Sequence, residues 1–287
     1  MLSRVYSYSF TKSAPREKTF LGEREPARFC RFCGGTTPAA KFGQQKHILP
    51  AAFGNRTLFS HEECDACNAD GSELENDLAS FLAIERAMAR MRSRKGSVKY
   101  RKPGTNSFIE SSVDSETVTI SRVEGETIIE KRDVDEHSFD LVVQTPKFRP
   151  LNVGKALARM MLFALGRDEI KEWAHVLDWV RGKQTWLPVV HRAFIPGPGL
   201  KTVGFEVLRQ DDPTLLIVAF WFSTTILFLR LPKVPWNLPA EIILPAIPDS
   251  PYPPHKPKLT DMILKWDEVV PSGTATVRVS HLGARPA

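Results

Sequence analysis

The sequence predicts an α+β chain in two parts: a compact N-terminal unit gathered around its cysteines, then a separate α+β domain with antiparallel strands. Three observations lead there. The 287 residues exceed the roughly 100 to 200 of an average domain, so two units are the natural division. Cys30, Cys33, Cys64 and Cys67 are the only cysteines, and all fall between Phe29 and about Met91. Beyond residue 150 apolar positions first recur at helical spacing and then run in β-prone stretches; helices followed by strands indicate α+β rather than alternating βαβ units. The boundaries that follow are 1–28, 29–95, 96–150 and 151–287.

Residues 1–28 carry Arg4, Lys12, Arg16 and Lys18 among serines and tyrosines and read as a poorly ordered basic arm, with no apolar run of signal-peptide length. In the unit at 29–95, a helix after Asn68 buries Leu74, Leu78, Phe81, Leu82 and Met88 as one stripe. Between Lys95 and Pro150 the chain is polar and β-prone. Thr117–Ser121 and Thr127–Glu130 read as a hairpin turning at Glu124-Gly125-Glu126.

From Val153 to about Val180, Leu157, Met160, Met161 and Ala164, then Trp173, Val176 and Leu177, give two helices interrupted near Gly166. Ile195-Pro196-Gly197-Pro198-Gly199 breaks the chain before a strand at Thr202–Leu208. The run from Leu215 to Leu231 is shorter than the roughly 20 residues of a membrane-spanning helix and has Ser223, Thr224 and Thr225 at its centre. It reads as two buried strands joined by a tight turn, with Phe220, Trp221, Phe222 and Phe228 as core. A soluble cytoplasmic protein is the expectation. Prolines make 232–257 extended, and a last strand is expected at Met262–Trp266.

A net charge of +6 favours polyanionic partners and serves solubility equally. Its distribution is more pointed, because Arg86, Arg90, Arg92, Arg94, Lys95, Lys99, Arg101 and Lys102 share one short stretch. The cysteines fall as Cys30-x-x-Cys33 and Cys64-x-x-Cys67, the spacing by which a tetrahedral metal takes two thiolates from each of two tight turns. Without an export signal, a structural zinc is favoured over disulfides. Four thiolates leave no open coordination position, so the chemistry has to lie elsewhere in the loop.

Between the pairs stand Gln45-Lys46-His47-Ile48-Leu49-Pro50 and Phe53-Gly54-Asn55, and the second pair continues as Cys64-Asp65-Ala66-Cys67-Asn68. This pattern, over about residues 29–82, resembles the HNH endonucleases, specifically the branch with Cys-x-x-Cys, His-Ile-x-Pro and Cys-x-x-Cys-Asn. The resemblance implies a ββα-metal module in which His47 is the general base and Asn68 a ligand to a catalytic Mg2+ or Mn2+. It implies a nucleic-acid substrate, DNA before RNA, with Arg86, Arg90, Arg92, Arg94 and Lys95 tracking phosphates. Lys46 stands where many members carry an acidic ligand or a second histidine; Asp65, Asp70, Glu73 and Glu75 are the acids at hand to replace it. Asn55 either fixes the loop or serves a Gly-Asn turn. A nuclease module joined to an unassigned α+β domain suits a restriction or anti-phage effector, and a homodimer is compatible with it. The competing reading is a catalytically inactive zinc-knuckle protein that binds nucleic acid.

Overall fold

The computed structural model describes residues 2–11, 17–24, 28–89, 92–93, 96–112, 117–135, 138–184, 189–194, 200, 202–211, 214–234, 258–262 and 274–280. The chain opens with strands β1 (Leu2–Thr11) and β2 (Thr19–Leu21). Strands β3 (Lys46–His47) and β4 (Leu58–Ser60) are separated by a 3-10 turn at Ala51–Phe53 and lead into helices α1 (Asp65–Phe81) and α2 (Ala83–Met88). Short strands follow: β5 (Arg92–Ser93), β6 (Gly96–Ser97), β7 (Lys99–Tyr100), β8 (Phe108–Ser111), β9 (Val118–Ser121), β10 (Ile129–Asp135) and β11 (Ser138–Gln144). Helices α3 (Pro150–Ala164), α4 (Glu169–Glu172) and α5 (Ala174–Val180) come next. Strands β12 (Val190–Phe194), β13 (Thr202–Asp211), β14 (Thr214–Phe222), β15 (Thr225–Pro232), β16 (Lys258–Met262) and β17 (Thr274–Ser280) complete the fold.

The largest sheet has the order β1-β13-β14-β15-β12-β16 and is antiparallel throughout. Strands β14 and β15 are joined by the expected tight turn, where Ser223 adopts a left-handed conformation with φ 54°. The two-residue period of a strand sends Leu216, Val218, Phe220 and Phe222 to one face and Leu215, Ile217, Ala219 and Trp221 to the other; each set belongs to a separate buried cluster. Against the first face lies α3, which starts on Pro150, whose fixed φ suits a first helical turn, and is buried on nearly every side from Asn152 to Phe163.

A separate C-terminal domain is not borne out by this core. A single buried cluster runs from Phe10 through Cys30, Phe53, Leu74 and Leu78 to Met161, Phe220 and Leu231. Helix α3 packs against both α1 and the β13–β15 face. Phe53, at the end of the 3-10 turn, is wholly buried with its ring 5.1 Å from that of Phe220 and 5.0 Å from that of Phe222. Burying one such side chain stabilises by about 1.5 to 3 kcal/mol, so the short cysteine-bearing segment takes part of its stability from the sheet. At Gly71 a Cβ would collide with the Arg159 guanidinium, which reaches from α3 across α1 to Glu63. The glycine leaves room for this guanidinium to pass over α1.

Other expectations also change. Residues 2–11 of the N-terminal arm are not loose: β1 pairs with β13, Phe10 is buried, the Tyr6 ring lies 5.5 Å from that of Phe205, and the Tyr8 hydroxyl is 2.5 Å from Thr57 Oγ1. The alternation Tyr6, Tyr8, Phe10 is a strand signal that the surrounding serines and charges obscure. Val123–Glu126 does form a turn, yet its flanks do not pair with each other. Instead β9 pairs with β8, and β10 with β11, because Ile109, Ile128, Ile129 and Val143 all bury against Ile84 and Ala87 of α2. The strand expected at Met262–Trp266 is found at Lys258–Met262, pairing with β12. The proline-rich 235–257 and the break at 195–199 lie outside the described residues. Among the described residues no helix is long and apolar enough to cross a membrane.

Candidate functional site

The site is built on two turns and a strand. In the first turn Gly34 N–H donates to the Cys30 carbonyl and Cys30 N–H to that of Gly35, both at 2.8 Å, with Gly34 at φ 75°. That left-handed conformation favours glycine. In the second, Cys64 is the N-cap of α1 and its sulfur accepts from Cys67 N–H at 3.5 Å. The four sulfurs lie within 4.8 Å of one another, and Cys33 Sγ is 3.8 Å from Cys64 Sγ. A tetrahedron with metal–sulfur bonds of about 2.3 Å has edges of about 3.8 Å, whereas a disulfide bond is about 2.05 Å long. The donor set therefore fits zinc. The Cys67 sulfhydryl bonded to Cys30 holds the Cys30 thiol well below the usual range, while that bond and burial push Cys67 up. A dication is what lets such a cluster ionise together.

The metal site joins the loop before β3 to the start of α1. Strand β3 pairs antiparallel with β4, placing His47 opposite Phe59 and Lys46 opposite Ser60. Successive strand residues face opposite ways. Lys46 is accordingly buried and ion-paired with Asp65, while His47 is half-buried, its ring 4.8 Å from that of Phe59. Asn55 is fully buried behind it. Its Nδ2 donates to the carbonyls of Leu49 (2.6 Å) and Leu58 (2.9 Å), and its Oδ1 accepts from the N–H groups of Thr57 (3.1 Å) and Leu58 (2.9 Å). Both amide hydrogens are thus taken, and the 3.4 Å from Nδ2 to His47 Nδ1 is a packing contact that steadies the ring. Of the two readings of Asn55, the structure supports the fixing of the loop.

The segment that carries the four thiols and His47 is also where the chain is similar to known proteins. Residues 30–78 match the HNH endonuclease family. No curated protein and no solved structure matches the chain.

Within the matched segment, Asn68 lies in the first turn of α1, half-buried, its backbone N–H bonded to the Cys64 carbonyl. Its carboxamide has no hydrogen-bond partner among the described residues. The acids considered as ligands divide. Asp65 is held by Lys46 and by the N–H groups of Gly43 (3.0 Å) and Gln44 (3.3 Å), and the Lys46 ammonium keeps its carboxyl below the usual range. It staples the loop. Asp70 and Glu73 are exposed. Glu75 is partly buried, and burial, reinforced by Glu63 and opposed by Arg159, pushes its carboxyl up to about 7.

A raised acid pKa means that the folded state holds the proton longer than the unfolded one, so stability is lost as pH rises through the window between the two values. Glu75→Gln is expected to remove that loss. Unfolding free energy measured in urea should match the wild type near pH 5 and exceed it by about 1 to 3 kcal/mol at pH 8. A difference that does not change with pH would contradict the assignment.

The basic cluster is only partly seen. Arg90, Arg94 and Lys95 lie outside the described residues, and Arg92 is described in its backbone alone. Arg86 is corrected: its guanidinium donates to the carbonyls of Ala52 (3.0 Å) and Ala79 (3.3 Å) and sits 5.8 Å from the Phe53 ring centre. It secures the end of α1 to the 3-10 turn. Other cations stand outside that cluster: Lys18, whose ammonium is 5.6 Å from the Phe59 ring centre, and the exposed Arg24 and Arg56. No spacing rule marks Lys18, which precedes β2 and comes over Phe59 through the three-residue pairing of β2 with β4.

Proposed function

We propose that the chain is a metal-dependent endonuclease that hydrolyses nucleic-acid phosphodiesters, DNA before RNA, with His47 as general base. The observation that carries this is the setting of His47 inside the family-matched segment: a half-buried imidazole on a strand anchored by Asn55, Phe59 and the four-cysteine staple. Imidazole is the side chain whose proton affinity lies nearest neutrality. His47 takes a proton from water as the water oxygen bonds to phosphorus, and the P–O3′ bond breaks on the opposite side.

Asn68 offers a neutral hard oxygen in the first turn of α1, and a Mg2+ or Mn2+ there would neutralise charge on the scissile phosphate and leaving oxygen. The cysteines are the only group of three or more His, Cys, Asp or Glu ligands gathered among the described residues. A catalytic cation would therefore rest on one or two protein oxygens, with phosphate oxygens and waters completing its shell, as is usual for magnesium. A cytoplasmic role in restriction or anti-phage defence is the biological setting we propose for such an enzyme.

Purified protein incubated with plasmid DNA and with RNA should cut the backbone in Mg2+ or Mn2+ and stop on their removal. The competing binder reading is favoured by the buried Lys46–Asp65 pair, which fills the place of an acidic ligand. Binding without cleavage in every divalent metal would decide for it.

A further inference from the structure

The sheet β2-β4-β3 aligns Phe20 with Phe59 and Phe59 with His47 across its three strands. Residues in register share one face. The rings of Phe20 and Phe59 stack at 5.4 Å, and that of His61 lies on Phe20 at 4.5 Å and 5° from parallel. Phe59, only 3% exposed, is the hidden support, whereas Phe20, His61 and His47 all reach the surface. Core packing explains Phe59 but not a half-exposed pair of parallel rings. The pair also sits among cations. Lys18 lies over Phe59 and is hydrogen-bonded to Gln45 (3.3 Å); burial, Arg24 and Arg28 together lower the proton affinity of His61, and Glu62 beside it is already held by Arg31 and Arg167. A neutral imidazole flat on a phenyl ring is a surface for a nucleobase, and the cations suit the phosphates on either side of it.

We propose that Phe20 and His61 form a stacking platform for one unstacked base of the substrate strand, next to the phosphate presented to His47, with Lys18 and Arg24 on flanking phosphates. This rests on the endonuclease reading and narrows it, because a base on the platform has to be unpaired or turned out of a duplex. Platform and histidine flank the same strand, two strand spacings or about 10 Å apart, which a nucleotide or two of extended backbone bridges.

The test uses full-length protein carrying His47→Ala, so that binding is read without cutting, and a fluorescein-labelled single-stranded DNA with an abasic residue placed at successive positions. One position is expected to cost affinity. Phe20→Leu, which keeps apolar packing on Phe59 but removes the ring, should weaken binding of the intact strand by about 5- to 150-fold and abolish the sensitivity at that position. Phe20→Tyr should restore both, and unchanged zinc content and melting temperature would show that the fold is retained. Binding and an abasic profile that ignore Phe20→Leu overturn the platform alone. A parent protein that binds no strand and, as wild type, cuts none overturns the endonuclease reading and the platform with it.

Discussion

His47→Ala should lower metal-dependent backbone cleavage by about a hundredfold to ten-thousandfold, the usual contribution of a general base, while zinc content, melting temperature and affinity for nucleic acid stay close to wild type. The structure gives reasons for the clean separation. His47 is half-buried at the edge of a three-stranded sheet, and its neighbours are held independently of it: Asn55 through four backbone hydrogen bonds, Phe59 by Phe20, Lys46 by Asp65. Asn68→Ala should also impair cleavage, but through the cation, so raising the Mn2+ concentration should restore part of its rate and none of that of His47→Ala. A gel assay across a manganese titration reads the contrast. Equal cleavage by wild type and His47→Ala would move the activity away from this strand.

Cys67→Ser should have the largest effect on stability. A structural zinc contributes on the order of 10 kcal/mol or more of folding free energy in small zinc-bound peptides, and three thiolates hold it far less well than four. The continuous core determines how the loss appears. Cys30, Cys64, Leu74 and Leu78 share a buried cluster with α3 and the β13–β15 face, so the metal-bearing segment should not melt alone. Calorimetry is expected to show one transition shifted down as a whole, and metal analysis about one zinc per wild-type chain and little in the variant. Cys67→Ser protein that keeps the wild-type melting temperature would rule out a stabilising zinc. An early transition followed by an unchanged later one would restore the two-domain picture.

The parts of the site that were legible in the sequence are those where chemistry forces a local spacing. Two Cys-x-x-Cys turns, a histidine between them and an asparagine in the first turn of a helix are fixed by metal and helix geometry within a few residues. Strands β14 and β15 were legible for a similar reason, since a long apolar run broken by Ser223-Thr224 has few ways to fold. What escaped depends on distant partners. The alternation Tyr6, Tyr8, Phe10 gains meaning only beside β13, and β2 is too short to carry a pattern of its own. Arg86 belongs to a charged run, yet the carbonyls of Ala52 and Ala79 claim it. Asn55 was ambiguous because its importance lies in which four backbone groups surround it. Nothing local distinguishes such an asparagine from one in an exposed turn.

The pairing of β1 with β13 also bears on how the molecule is made. Arg4 and Glu206, which form an ion pair across those strands, are 202 positions apart. Strand β1 therefore leaves the ribosome well before β13 and waits for its neighbour, and such distant pairings are slow to close. The two cysteine turns need only each other and can capture zinc early, as a local clasp. Phe53 has no such independence, since the rings that enclose it belong to Phe220 and Phe222. A nascent chain that has passed Asn68 already holds its thiols and His47 but has no floor beneath the loop that aims the histidine. On the endonuclease reading, the enzyme is armed only when its sheet is complete.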